Sequence, residues 1–120
     1  MAGAGDSLAQ MTTFADYQRD SRATAVYPDA GDNLLYPTLG LCGEAGEVAE
    51  KVKKMVRDDA GVLSDERRAA IAKELGDVLW YVAQIATEAE LDLDEIAGAN
   101  LAKLRSRQER GVLTGSGDDR

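Results

Sequence analysis

Two stretches of this chain repeat apolar residues at spacings of 4, 3, 4 and 3: Leu41, Ala45, Val48, Val52 and Met55, then Ile71, Leu75, Val78, Val82 and Ile85. At about 100° per residue, such spacing lines the residues up along one side of a helix. A one-sided apolar stripe has to be covered by another element, so the chain is constrained to pack helix on helix. Runs of β-branched residues with alternating polarity are absent, which leaves no candidate strand.

Four helices follow from the pattern. The first spans about Thr13 to Val26, capped by Thr12 or Thr13, with Asp16 in its opening turn. A turn-rich loop from Tyr27 to Asn33 separates it from a long second helix that ends near Arg57. Pro37 suits either the first turn of that helix or a kink. Gly40, Gly43 and Gly46 each weaken it by about 1 kcal/mol relative to Ala, and imply close approach by a ligand or a neighbouring helix. Ser64 or Asp65 caps the third helix, which ends around Leu91. Asp92 or Asp94 caps the fourth, which runs to about Arg110 with Leu93, Ile96, Ala97, Leu101 and Leu104 inward, and Gly111 stops it. The expected fold is all-α, a compact bundle of four helices, or five. Residues 1–10 read as a flexible lead-in, 11–110 as the helical domain, and 111–120, rich in Gly, Ser and Asp, as a tail.

Composition narrows the chemistry. The 120 residues contain no histidine and one cysteine, Cys42. Histidine-ligated zinc, Ser-His-Asp triads and internal disulfides are therefore excluded. Cys42 reads as a small buried hydrophobe beside the first acidic motif. Lys plus Arg number 14 against 22 Asp plus Glu, for a formal net charge of −8, and such a chain repels nucleic acid at long range. No apolar run is long enough to span a membrane, and the first residues lack the pattern of a signal peptide. A cytoplasmic protein is expected, with chemistry drawn from carboxylates, amides, hydroxyls, lysines and arginines.

Two acidic pairs stand out, Glu44-x-x-Glu47 on the second helix and Glu74-x-x-Asp77 on the third. Among 22 acids, chance gives roughly four such pairs, so spacing alone carries little. Placement carries more. Glu44, Glu47 and Lys51 form a stripe beside the apolar one, as do Glu74, Asp77 and Tyr81. Carboxylates at the edge of a buried surface are costly unless something compensates them. If the two helices pack through their stripes, four acids converge on one groove, and a divalent cation relieves their repulsion. Oxygen-only ligation favours Mg²⁺, with Mn²⁺ as a substitute, and points to phosphate-ester or anhydride chemistry. The alternative is a pair of solvated helix faces. Asn100, Lys103 and Arg107 form a further stripe on the fourth helix. They read either as a phosphate grip or as a capped amide with two solvated cations.

The segments GLCGEAGEVAEKVKK, KELGDVLWYVAQIATE and NLAKLRSR, in that order, resemble the MazG-like nucleotide pyrophosphohydrolases of the all-α NTP pyrophosphatase superfamily. The resemblance covers about residues 33 to 107. It implies that Glu44, Glu47, Glu74 and Asp77 are Mg²⁺ ligands and that Asn100 and Lys103 contact phosphate or nucleotide. It also implies that Tyr81, one turn beyond the Asp, lies beside the base, as in relatives of the dCTP pyrophosphatases. The implied reaction cuts the α–β anhydride of a nucleoside triphosphate to the monophosphate and pyrophosphate, in house-cleaning of nucleotide pools. The implied assembly is a homodimer or homotetramer with sites between subunits.

With no imidazole, a carboxylate has to accept the proton of the attacking water, and Glu47 is the first choice over Glu44. Lys103, with Lys51 or Arg107, would offset charge on the departing pyrophosphate. Trp80 lies nearly opposite the apolar stripe among Gly76, Ala83 and Thr87. That face is expected to be buried in an oligomer, the alternatives being an exposed tryptophan or a lid from the first helix. A catalytically silent Mg²⁺ or nucleotide sensor and an acidic helical interaction module are the competing functions.

Overall fold

The computed structural model describes residues 12–120. The proposed lead-in, residues 1–10, lies outside them. Among the described residues the chain is all-helical: α1 (Phe14–Ser21) continued by one 3₁₀ turn (Arg22–Thr24), α2 (Leu35–Asp58), α3 (Asp65–Glu88) and α4 (Leu93–Glu109).

Each helix begins where the chain supplies acceptors for its free N–H groups. Thr13 and Asp16 form a reciprocal capping box on α1. The Asn33 side-chain oxygen accepts from the Tyr36 N–H at 3.0 Å, opening α2, and Pro37 sits buried in the first turn, so it starts the helix rather than kinking it. Ser64 caps α3 through the Arg67 N–H, and Asp92 caps α4 through Asp94 and Glu95. α3 stops three residues before the expected Leu91, because Glu90 turns left-handed at φ 57° and the Leu91 N–H returns to the Ala86 carbonyl. The first helix is likewise shorter than expected, since its last turn tightens into the 3₁₀ segment. Gly111, at φ 72°, ends α4 as expected.

The main packing is α2 against α3, antiparallel: Gly40 meets Tyr81, Glu44 lies beside Glu74 and Asp77, and Asp59 pairs with Arg67 at 2.7 Å. α1 lies across α3 and α4. Gln18 fastens it to the α3–α4 turn, donating to the Leu91 carbonyl at 2.9 Å and to Thr87 Oγ1, and accepting from the Leu93 N–H.

Much of the apolar stripe is left uncovered. Leu93 is buried, but Ile96, Leu101 and Leu104 of α4 are exposed, against the inward placement expected of them. Val52 and Leu75, one on each of the two paired helices, are also exposed. The radius of gyration is 17.4 Å, against roughly 14 Å for a compact chain of this length.

Trp80 is covered from within the chain. Its Nε1–H donates to Thr24 Oγ1 at 2.8 Å, and its ring packs edge-on against Tyr27 and Tyr81. The 3₁₀ turn and the loop after it thus cover part of the Trp80 face, while Gly76 on the same face meets open space.

Candidate active site

Helical register brings three acids together. Glu74 and Asp77 lie one turn apart on α3, and Glu44 faces them from α2, with one carboxylate oxygen from each within 4.8 Å of the others. Among the described residues this is the one group of three or more acidic or thiol ligands so placed. Glu47, one turn further along α2, is exposed and outside that set, although its charge still acts on Glu44.

The cluster is electrostatically unbalanced. The Oε2 atom of Glu44 is buried with no hydrogen-bond partner. Burial, then the adjoining Glu74, then the charges of Asp77 and Glu47 hold the Glu44 carboxyl above its ordinary range. A buried orphan oxygen among like charges fits a cation that would satisfy it. A donor set made only of carboxylate oxygens suits a hard divalent ion.

Tyr81 stands at the edge of this cluster. A Cβ on Gly40 would lie 2.1 Å from the Tyr81 ring, so the missing side chain of Gly40 is what admits the ring against α2. This is the close approach expected of the glycines, made by a neighbouring helix. Gly43 and Gly46 face open space instead. Burial, then the hydroxyl of Tyr36 and the charges of Glu44 and Asp77 raise the Tyr81 phenol above its usual range. Tyr36 stacks on Tyr27 with ring centroids 4.9 Å apart, extending the aromatic wall.

The remaining predicted site residues lie apart from the acids. Lys51 is half-buried on α2, one turn beyond Glu47. Asn100 and Lys103 line an open hollow on α4 with Ile96 and Ala99. Arg107 is buried, and its guanidinium donates to the main-chain oxygen of Asp118 in the C-terminal segment. Lys103 reaches the Asp118 carboxylate at 3.6 Å.

Cys42 is exposed, which corrects its reading as a buried hydrophobe. It falls on the outer side of α2, off the stripe that meets α3. Tyr17 was not singled out from the sequence. It lines a hollow of about 400 Å³ with Phe14, Leu79 and Asp94, and burial followed by the charge of Asp77 raises its phenol. Its position three residues after Phe14, on the apolar side of a short helix, was the available signal.

Comparison with known proteins gives the family. The family model for the MazG nucleotide pyrophosphohydrolase domain matches residues 32–112, a span that holds all three clustered acids and the α4 stripe. The "Gene 37 protein" of Mycobacterium phage L5 is 51% identical over 109 residues, covering 87% of this chain and 96% of that protein. No solved structure matches.

Proposed function

The chain belongs to the MazG nucleotide pyrophosphohydrolase family, and from that membership we propose that it is a Mg²⁺-dependent hydrolase of nucleoside triphosphates. It would cleave the α–β anhydride of ribo- or deoxyribonucleotides to the monophosphate and pyrophosphate. The observation that carries this reading is the buried, unpartnered Glu44 oxygen facing Glu74 and Asp77.

Glu44, Glu74 and Asp77 would hold the ion, Mg²⁺ or in its place Mn²⁺, and its charge supplies Lewis acidity toward the phosphate oxygens. Glu47, exposed beside the cluster, is free to accept a proton from the water that attacks the α-phosphorus. Its place outside the three-acid set separates the base from the ligands, and this favours it over Glu44 in that role. Lys51 and Lys103 offset charge on the departing pyrophosphate. The Tyr81 ring, fixed against Gly40 and edge-on to Trp80, offers a flat face to the base.

Two observations support a homodimer or homotetramer as the working form. Val52, Leu75, Ile96, Leu101 and Leu104 leave apolar side chains exposed on α2, α3 and α4 for a second copy to cover, and the chain alone is loosely packed, with a radius of gyration of 17.4 Å. Lys103 and Asn100 do not meet the acids within one chain, so assembly would bring an α4 to the cluster. Sedimentation at micromolar concentration tests this, and a monomer would refute it. No helix among the described residues is long and apolar enough to cross a membrane.

The activity test is pyrophosphate release from a panel of (d)NTPs with and without Mg²⁺. Activity that needs the ion and disappears in Glu44→Gln and Asp77→Asn is expected. Full activity in Glu47→Gln would remove the assignment of the base. Full activity in Asp77→Asn would remove the site.

A further inference from the structure

The segment after α4 is a tied loop. Its last residue, Arg120, donates through its guanidinium to the main-chain oxygens of Val112, Leu113 and Gly117, and Arg110 donates to the Arg120 main-chain oxygen at 2.8 Å. Gly115 and Gly117, at φ 133° and 88°, let the chain double back in so few residues. The result is to set Asp118 down on α4. Its main-chain oxygen accepts from the buried Arg107, and one carboxylate oxygen, Oδ1, lies 3.5 Å from Arg107 and 3.6 Å from Lys103.

That single oxygen bridges two cations of the stripe assigned to phosphate. A carboxylate so placed is an internal anion where an external one is expected. Three features make it replaceable rather than permanent. The Asp118 side chain is 88% exposed, and exposed ion pairs are weak. The Nε of Arg107 is buried without a hydrogen-bond partner, so the loop does not satisfy the guanidinium in full. A polyphosphate brings more charge and more acceptor oxygens than one carboxylate.

We propose that Asp118 is an internal competitor for the polyphosphate chain at Lys103 and Arg107, so that it sets substrate affinity: the triphosphate binds by displacing the Asp118 carboxylate while the loop stays anchored through its main chain. The proposal rests on the assignment of Lys103 to phosphate. It places the affinity-setting residue outside the acidic cluster, in a segment whose backbone hydrogen bonds do not depend on that carboxylate.

Asp118→Asn is the discriminating variant, because it removes the charge and keeps the main-chain acceptor for Arg107. Titration of inorganic tripolyphosphate into full-length protein, followed by calorimetry in the absence of metal, needs no turnover. Asp118→Asn is expected to tighten binding by about two- to five-fold, the scale of an exposed ion pair, and to lower the KM for triphosphate by a similar factor with kcat held. Unchanged or weaker binding in Asp118→Asn, alongside a clear loss in Lys103→Ala, overturns the competitor role and leaves the phosphate assignment standing. Equal binding by wild type and Lys103→Ala overturns both.

Discussion

Glu44 and Glu88 are both acids drawn out of water on the α2–α3 pair, and the chain treats them in opposite ways. Glu88 has a side chain only 1% exposed, yet every demand it makes is met. The Gly31 N–H donates to both of its oxygens at 2.7 and 3.0 Å, the Tyr27 hydroxyl donates at 3.0 Å, and Arg22 lies 3.5 Å away. Burial pushes its pKa up, but those donors together hold it below the ordinary carboxylate range. Gln84, fully buried alongside, completes the network with Arg22 and Ser21. Glu44 has an orphan oxygen and three acids for neighbours, and its pKa is raised. The first acid is finished by the fold and holds the 3₁₀ turn and the Tyr27–Asn33 loop to α3. The second is left for something the chain does not contain. Two carboxylates of one residue type thus separate structure from site.

The largest expected effects break the Glu44 side of this contrast. Glu44→Gln, Glu74→Gln and Asp77→Asn should each lower pyrophosphate release by more than about 100-fold, beyond the 10–100-fold typical of an outer-shell partner. That is about 2.7 kcal/mol or more of transition-state stabilisation. The same variants should unfold in metal-free urea no earlier than wild type, because each removes a repelled charge. A destabilised Glu44→Gln protein would erase the distinction. Glu88→Gln should do the reverse. It should lose about 1.5–3 kcal/mol of stability, the scale of hydrogen bonds to a charged group, while Mg²⁺ affinity of the folded protein holds.

The acidic side of the contrast was legible in the sequence, and the satisfied side was not. Glu44, Glu74 and Asp77 lie beside apolar stripes whose period fixes their direction, so they meet once the two helices pack through those stripes. Glu47 shares the motif and lies only about 60° round the helix from Glu44, yet it is exposed, whereas the same three-residue step on α3 keeps Glu74 and Asp77 together. The Glu88 network escaped because its parts come from α1, a 3₁₀ turn and a loop with two positive-φ residues, Asp29 and Gly31. No short-range pattern links Arg22 or Gly31 to a residue some sixty positions later. The α4 stripe was misjudged for another reason. Periodicity shows that Ile96, Leu101 and Leu104 share a side, but it does not say whether this chain or another copy covers them.

Tyr81 touches both halves of the comparison: its ring meets Trp80 of the aromatic group that includes Tyr27, and its phenol feels Glu44 and Asp77. Gly40→Ala sharpens the contrast by moving that ring. Overpacking costs about 1–3 kcal/mol, and the better helix propensity of Ala returns about 1 kcal/mol. A net loss of about 1 kcal/mol is expected in denaturant titration, with a rise in KM for triphosphate. An unchanged KM would separate Tyr81 from the nucleotide.

The smallest expected effect is the pH dependence of stability without metal, where the two acids pull in opposite directions. Glu88 has a lowered folded pKa, so its contribution is complete above the ordinary value near 4.5 and is lost as pH falls through the depressed value. Glu44 has a raised folded pKa, so the folded chain takes up its proton before the unfolded chain does. Stability therefore rises as pH falls through the raised pKa toward 4.5, and only below that does the Glu88 loss take over. A melting series in chelator from pH 7 downward should pass through a shallow maximum near pH 4.5 and then fall. Because Glu44 is only half-buried, the rise is small. Mg²⁺ should abolish the rising limb by neutralising the carboxylates in place of a proton, and Glu44→Gln should abolish it without Mg²⁺. Glu88→Gln should make the falling limb shallower and leave the rising limb in place. A rising limb that persists in Glu44→Gln would assign the proton to another acid and dissolve the contrast between the two glutamates.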